Sequence, residues 1–186
     1  MQNILPFLVF LSLASVAPAQ ESKPTREEKQ EASRKRKEER NRKMERQFLD
    51  TWQLLNGKRF VLEAQYLSGK MGDRKPVVPV LNFISVDSAN AVIQVGSPQL
   101  VGYNGVGGIT GEGKVTQWKL MKNEKRKNFT VFLTINSNIG IFNIQMSIDY
   151  SGYASASMTG LTSFMLTFDG MLVSREESVI FKGQSY

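Results

Sequence analysis

Three regimes of hydrophobic and polar spacing follow one another along the chain. Residues 4–16 are almost wholly apolar, from Ile4, Leu5 and Phe7 to Leu13 and Val16. Residues 21–47 carry charges of both signs and scarcely an apolar side chain. From residue 57 onward apolar side chains return at every second position, the period of a strand with one buried face.

That last regime predicts an antiparallel β domain. Arg59 to Leu67 alternates, with Phe60, Leu62, Ala64 and Tyr66 on one side. Val80 to Val86 and Ala91 to Val95 read as a hairpin about the turn-forming Asp87-Ser88-Ala89-Asn90. Val115 to Leu120 and Phe129 to Ile135 flank a tip at Lys122 to Lys127. Ile141 to Tyr150, Tyr153 to Met158 and Phe164 to Val173 follow, with Ser178 to Phe181 as a short edge strand. Phe164, Leu166, Phe168 and Leu172 stay in phase across Asp169-Gly170, which predicts one strand bent at Gly170 rather than a hairpin. About eight strands with short connections, and no second helical stretch, select a mainly β fold: a small antiparallel up-and-down barrel, whose closure removes exposed edges. The small residues of Tyr153 to Met158, Ala154 and Ala156 among them, either relieve crowding inside or leave space there.

The charged regime predicts a helix. Good helix formers, the i,i+4 pairs Glu31/Lys35, Glu38/Arg42 and Glu39/Lys43, and Thr25 with Glu28 as a capping box all favour it. Met44, Phe48, Trp52 and Leu55 share one face, so only this end can dock, and Asn56-Gly57 is expected to end the helix with Gly57 in the left-handed conformation. The apolar run at residues 4–16 is short for a membrane span and leads into Ala17-Pro18-Ala19, the pattern of a signal peptide cleaved after Ala19. An uncleaved anchor is the competing reading. The domain plan is thus a signal peptide over 1–19, a charged helix over 20–56 and a barrel over 57–186.

Composition narrows the chemistry. The 186 residues include no Cys and no His, which removes disulfides, thiolate zinc sites, a lipoprotein anchor cysteine and most general-base chemistry. The net charge of +7 at pH 7 invites a nucleic-acid reading of Arg34 to Lys37. However, residues 21–47 hold eleven basic side chains against seven acidic, with no interleaved aromatics for base stacking. No nucleic-acid partner is expected, nor any transmembrane span in the mature chain. An exported protein of the periplasm or cell envelope is.

Glycines crowd residues 102–114, but Thr110 stands where a dinucleotide fingerprint needs its third Gly, and Val115 where a P-loop needs a hydroxyl. A bulged structural loop is the better reading, with a binding rim as the alternative. Gly102-Tyr103-Asn104-Gly105-Val106-Gly107-Gly108-Ile109-Thr110, Asn123-Glu124-Lys125-Arg126, Asn138-Ile139-Gly140-Ile141, Ser157-Met158-Thr159-Gly160-Leu161-Thr162 and Phe181-Lys182-Gly183-Gln184-Ser185 come in that order. Over residues 57–186 the chain resembles the domain of unknown function 4251 family of exported Bacteroidetes proteins. The resemblance implies a lipocalin-like β fold and a periplasmic or envelope address, and no catalytic positions.

No catalytic residue, metal ligand or cofactor is expected. The reading favoured is a non-enzymatic barrel that takes a small or apolar ligand, with Tyr103, Asn104, Trp118 and Tyr153 as candidate binding residues. The alternative is a structural or interaction protein docking on an anionic envelope component through the basic tip Lys122, Lys125, Arg126 and Lys127. A hydrolase using paired carboxylates such as Glu63 and Glu112 comes last.

Overall fold

The computed structural model describes residues 25–99, 102–160 and 165–185. The signal-peptide segment and Phe164 lie outside them. The described residues up to Lys37 and those from Glu38 onward form two compact units. In the first, helix α1 (Arg26–Gly57) begins on the expected capping box: the Thr25 backbone N–H donates to Glu28 Oε2 at 2.7 Å, and the Glu28 N–H to Thr25 Oγ1 at 3.3 Å. Glu31 and Lys35 pair at 2.8 Å. No helix among the described residues is long and apolar enough to cross a membrane.

In the second unit the last turns of α1 precede nine strands: β1 (Arg59–Gly69), β2 (Arg74–Pro76), β3 (Phe83–Asp87), β4 (Asn90–Val95), β5 (Ile109–Asn123), β6 (Asn128–Ser137), β7 (Gly140–Asp149), β8 (Tyr153–Thr159) and β9 (Met165–Ser174). Every pairing is antiparallel, and β1 pairs with both β3 and β9, so all the strands except β2 close into an eight-stranded meander barrel. The short β2 continues the β3 side of β1 beyond Ala64. The wall bends where expected: β9 runs unbroken through Asp169-Gly170, opposite a register shift between Ala64 and Tyr66. A Cβ on Gly170 would stand 2.0 Å from the Glu63 carbonyl oxygen, so only glycine permits this approach.

Four local expectations are corrected. Val80 is not in a strand, because Pro79 opens a single 3-10 turn (Pro79–Leu81) and pairing starts only at Phe83. Strand β5 starts at Ile109, six residues before Val115, since the second half of the glycine cluster pairs with β4. Ser178 to Phe181 form no strand. Gly57 stays inside the helix, and it is Lys58 that takes the positive φ of 52°.

The interior holds one apolar cluster drawn from α1 and seven of the eight wall strands, with Val115, Trp118 and Leu120 of β5 packed against it and Phe60, Phe129, Phe168, Leu62, Ile84 and Met146 among its largest buried members. Phe48 and Leu55 of α1 join it, which closes one end of the barrel. That helix end carries the β3–β4, β5–β6 and β7–β8 turns. The opposite end carries the β1–β2 and β6–β7 turns and the starts of β5 and β9.

Candidate functional site

At the end opposite the helix, the cluster does not reach the rim. Ile93 and Val95 finish β4, Ile109 opens β5, Phe142 follows the β6–β7 turn, and Met158 and Leu166 face each other across β8 and β9. Together with Ile139 and Gly108 they line a cleft of about 560 Å³ with almost no polar surface. Ile93 and Met158 are buried at its floor, whereas Ile109 is 54% exposed and Ile139 41%. The inward phase that puts Phe142, Ile144, Met146 and Ile148 on one face of β7 also points Phe142 into the opening.

One side of this end is braced by buried amides. Gln94, on the outer face of β4, donates to the Leu81 and Phe181 carbonyls at 3.1 and 2.9 Å, and accepts from Thr110 Oγ1 at 2.9 Å and the Gly183 N–H at 2.8 Å. Asn104 accepts the Val106 and Gly108 N–H groups on its Oδ1 and donates to Val95 O and Thr110 Oγ1. Asn82 donates to the Val78 and Gly96 carbonyls. These side chains tie the glycine loop, the 3-10 turn and the C-terminal segment to the wall. No buried side-chain nitrogen or oxygen among the described residues lacks a partner.

The structure does not gather the four candidate binding residues at one opening. Asn104 is consumed by the loop it organises, and Tyr103 beside it is 78% exposed. A register shift between Val115 and Gln117 turns Trp118 inward, where its ring lies 6.1 Å from that of Phe60 near the start of β1. Tyr153 starts β8 at the helix end and accepts a hydrogen bond from Arg74 at 3.0 Å on the outer wall. The residues that do form the cleft were missed because several stand in glycine- and asparagine-rich stretches without a strand period.

The basic tip is also rearranged. Lys122 pairs with Glu124 at 3.0 Å and sits 5.1 Å above both Phe48 and Trp52, and Lys127 pairs with Glu45 at 2.8 Å and covers Phe48 at 4.7 Å. Lys122 holds the Glu124 carboxyl below the usual carboxylate range. Lys125 and Arg126 remain at the turn. Of the two carboxylates singled out as an acid/base pair, Glu63 on β1 accepts from Ser178 and Glu112 on β5 binds Lys182 and Ser185, with β3 and β4 between them. The Lys182 and Ser185 contacts pull the Glu112 pKa down. No group of three or more acidic side chains that could hold a metal occurs among the described residues.

Comparison with known proteins adds two findings. A family model described as domain of unknown function (DUF4251) matches residues 42–172. The crystal structure of a DUF4251 family protein from Bacteroides eggerthii is similar, with a TM-score of 0.61 and 27% identity over 75% of this chain and 95% of that one. No curated protein matches.

Proposed function

The chain belongs to the DUF4251 family, and we propose that this member is an exported envelope protein acting as a non-enzymatic binding module for an apolar ligand. The observation that carries the reading is the cleft opposite the helix, about 560 Å³ and walled by Ile93, Val95, Ile109, Phe142, Met158 and Leu166. Its volume suits a small-molecule site, and each apolar Å² of ligand withdrawn from water contributes about 25 cal/mol. The amide bracing of the adjoining wall limits the ordering cost of binding. Export is supported by the apolar run at residues 4–16 and the Ala17-Pro18-Ala19 site. The engagement of Glu63 and Glu112 with the C-terminal segment supports a non-catalytic role. Docking through the basic tip draws less support, since Lys122 and Lys127 are spent on Glu124, Glu45 and the helix aromatics.

Titration with dansyl-undecanoic acid tests the reading. Saturable binding with a blue-shifted emission is expected, and Ile109→Asp should weaken it at least about tenfold, equivalent to about 1.4 kcal/mol. Absence of binding, or binding indifferent to Ile109→Asp and Leu166→Asp, overturns it.

A further inference from the structure

The exposed apolar side chains are unevenly spread over the barrel. Of the twelve large ones among the described residues, Met71, Ile109, Ile139, Ile141 and Met165 all belong to the end opposite the helix. They come from separate places: the β1–β2 turn, the start of β5, the β6–β7 turn, and the starts of β7 and β9. Register brings the first and last together, because Gly69 at the end of β1 pairs with Leu166 beside Met165. Met71 is 91% exposed. The helix end carries two of the twelve, Leu49 and Met121, among the charges of Arg59, Asp87, Glu124, Lys125 and Arg126, so the exposed apolar surface is weighted toward the opposite end.

We propose that the end opposite the helix docks on an anionic lipid surface. Met71, Ile141 and Met165 enter the headgroup layer, while Lys70 and Lys75 meet lipid phosphates. Both lysines are exposed on either side of Met71 and have no ion pair among the described residues; Arg74 between them is taken by Asp169 at 3.2 Å. Long basic side chains beside apolar ones are the combination that binds an anionic bilayer. Two of the rim residues, Ile109 and Ile139, also line the cleft. A protein seated permanently there would block that opening, whereas a bilayer both covers the rim and presents acyl chains to it. A second copy seated end to end would close both clefts. The proposal goes beyond the ligand-binding reading, because docking can be measured apart from cleft occupancy.

The test is flotation of the chain from Gln20 onward, which keeps every described residue, with vesicles of phosphatidylcholine alone or mixed with phosphatidylglycerol. Binding to dansyl-undecanoic acid is measured on the same samples. The wild type should float with the mixed vesicles and less with the neutral ones. Met71→Asp should reduce the bound fraction several-fold. The triple change Met71→Asp, Ile141→Asp and Met165→Asp, none of which lines the cleft, should abolish flotation while the probe still binds. Wild type that binds the probe but floats with neither vesicle overturns docking and leaves the cleft reading intact. Flotation without probe binding supports docking and removes the cleft reading. Docking is also overturned if Met71→Asp and the triple variant both float like wild type, or if Lys125→Ser with Arg126→Ser is the change that matters. A dimer seen by sedimentation velocity that Met71→Asp dissolves, with no flotation, assigns the rim to a second copy instead.

Discussion

Phe48 and Phe129 stack ring on ring, their centroids 4.7 Å apart and their planes 17° from parallel. The pair joins the last turns of the helix to the first inward residue of β6, and both side chains are buried. Trp52, one turn on, stacks on the same Phe129 ring at 6.1 Å but is only half-buried. The helix thus supplies the barrel's end wall through a specific aromatic contact.

Phe48→Ala should therefore cost about 3–5 kcal/mol, the range for emptying a buried aromatic site, and Trp52→Ala about half as much. Urea unfolding followed by circular dichroism gives both values. An equal or reversed order would place the main seal at Trp52.

The C-terminal segment is held by a side chain 89 residues away in sequence. Gln94 Oε1 takes the Gly183 N–H, and its Nε2 reaches the Phe181 carbonyl. Gln94→Leu preserves volume but leaves the Leu81 and Phe181 carbonyls and the Gly183 N–H unpaired. The expected loss is about 3 kcal/mol, at about 1–3 kcal/mol per buried unsatisfied group with partial relief by water. Amide exchange should quicken at Gly183 and Gln184 first. Unchanged exchange there would show that the segment is held by other contacts.

The same segment should be acid-sensitive. Hydrogen bonds from Lys182 and Ser185 depress the Glu112 pKa. A carboxylate with a lowered folded pKa adds stability above the pKa of an unfolded glutamate and loses it as pH falls through the folded value. Lys182→Met should raise the Glu112 pKa in a carboxyl NMR titration and flatten the fall in stability between neutral and acid pH. A Glu112 titration indifferent to that change would mean the pair does not form in solution.

The barrel was legible in the sequence because alternation is a local signal. Phe129, Val131, Leu133 and Ile135 declare their common face without reference to the rest of the chain, and so do Phe142 to Ile148. Register was not legible where it shifts: nothing local marks the irregularity after Val115 that turns Trp118 inward. The cleft was hidden for a related reason. Ile109 and Ile139 stand among glycines and asparagines, and they become neighbours only when β5, β6 and β7 are assembled. Alternation along β4 makes Gln94 an outward position, and its burial depends on a segment that crosses the wall from the far end of the chain.

The helix terminus gives a prediction that separates the sequence expectation from the structure. A Cβ on Gly57 meets nothing within 4 Å, and its φ is not positive, whereas Lys58 occupies the left-handed region at 52°. Gly57→Ala should stabilise by about 0.5–1 kcal/mol. Had Gly57 been the left-handed residue, the same change would destabilise. Lys58→Gly relieves the backbone but gives up the contact of Lys58 Nζ 5.3 Å above Trp118, so it should come out near neutral. The unfolding midpoints of the two single variants decide the matter.

Two glycines of β5, two positions apart on the same face, should respond very differently. A Cβ at Gly113 would stand 2.1 Å from the Asn136 carbonyl oxygen and 2.5 Å from Ser137 Cα, both backbone atoms of the paired strand. Gly113→Ala must therefore force β5 and β6 apart, and a loss above about 3 kcal/mol or failure to fold is expected. A Cβ at Gly111 meets instead the Cδ1 of Ile139 at 2.8 Å, the free end of a flexible side chain at the lip of the cleft. Ile139 can swing aside, so Gly111→Ala should cost less than about 1 kcal/mol. The displaced side chain has to move within or over the opening, and the affinity for dansyl-undecanoic acid should change several-fold while the unfolding midpoint barely moves. If the affinity stays constant, Ile139 takes no part in the cleft. If Gly111→Ala proves as damaging as Gly113→Ala, the lip is packed too tightly to admit a ligand.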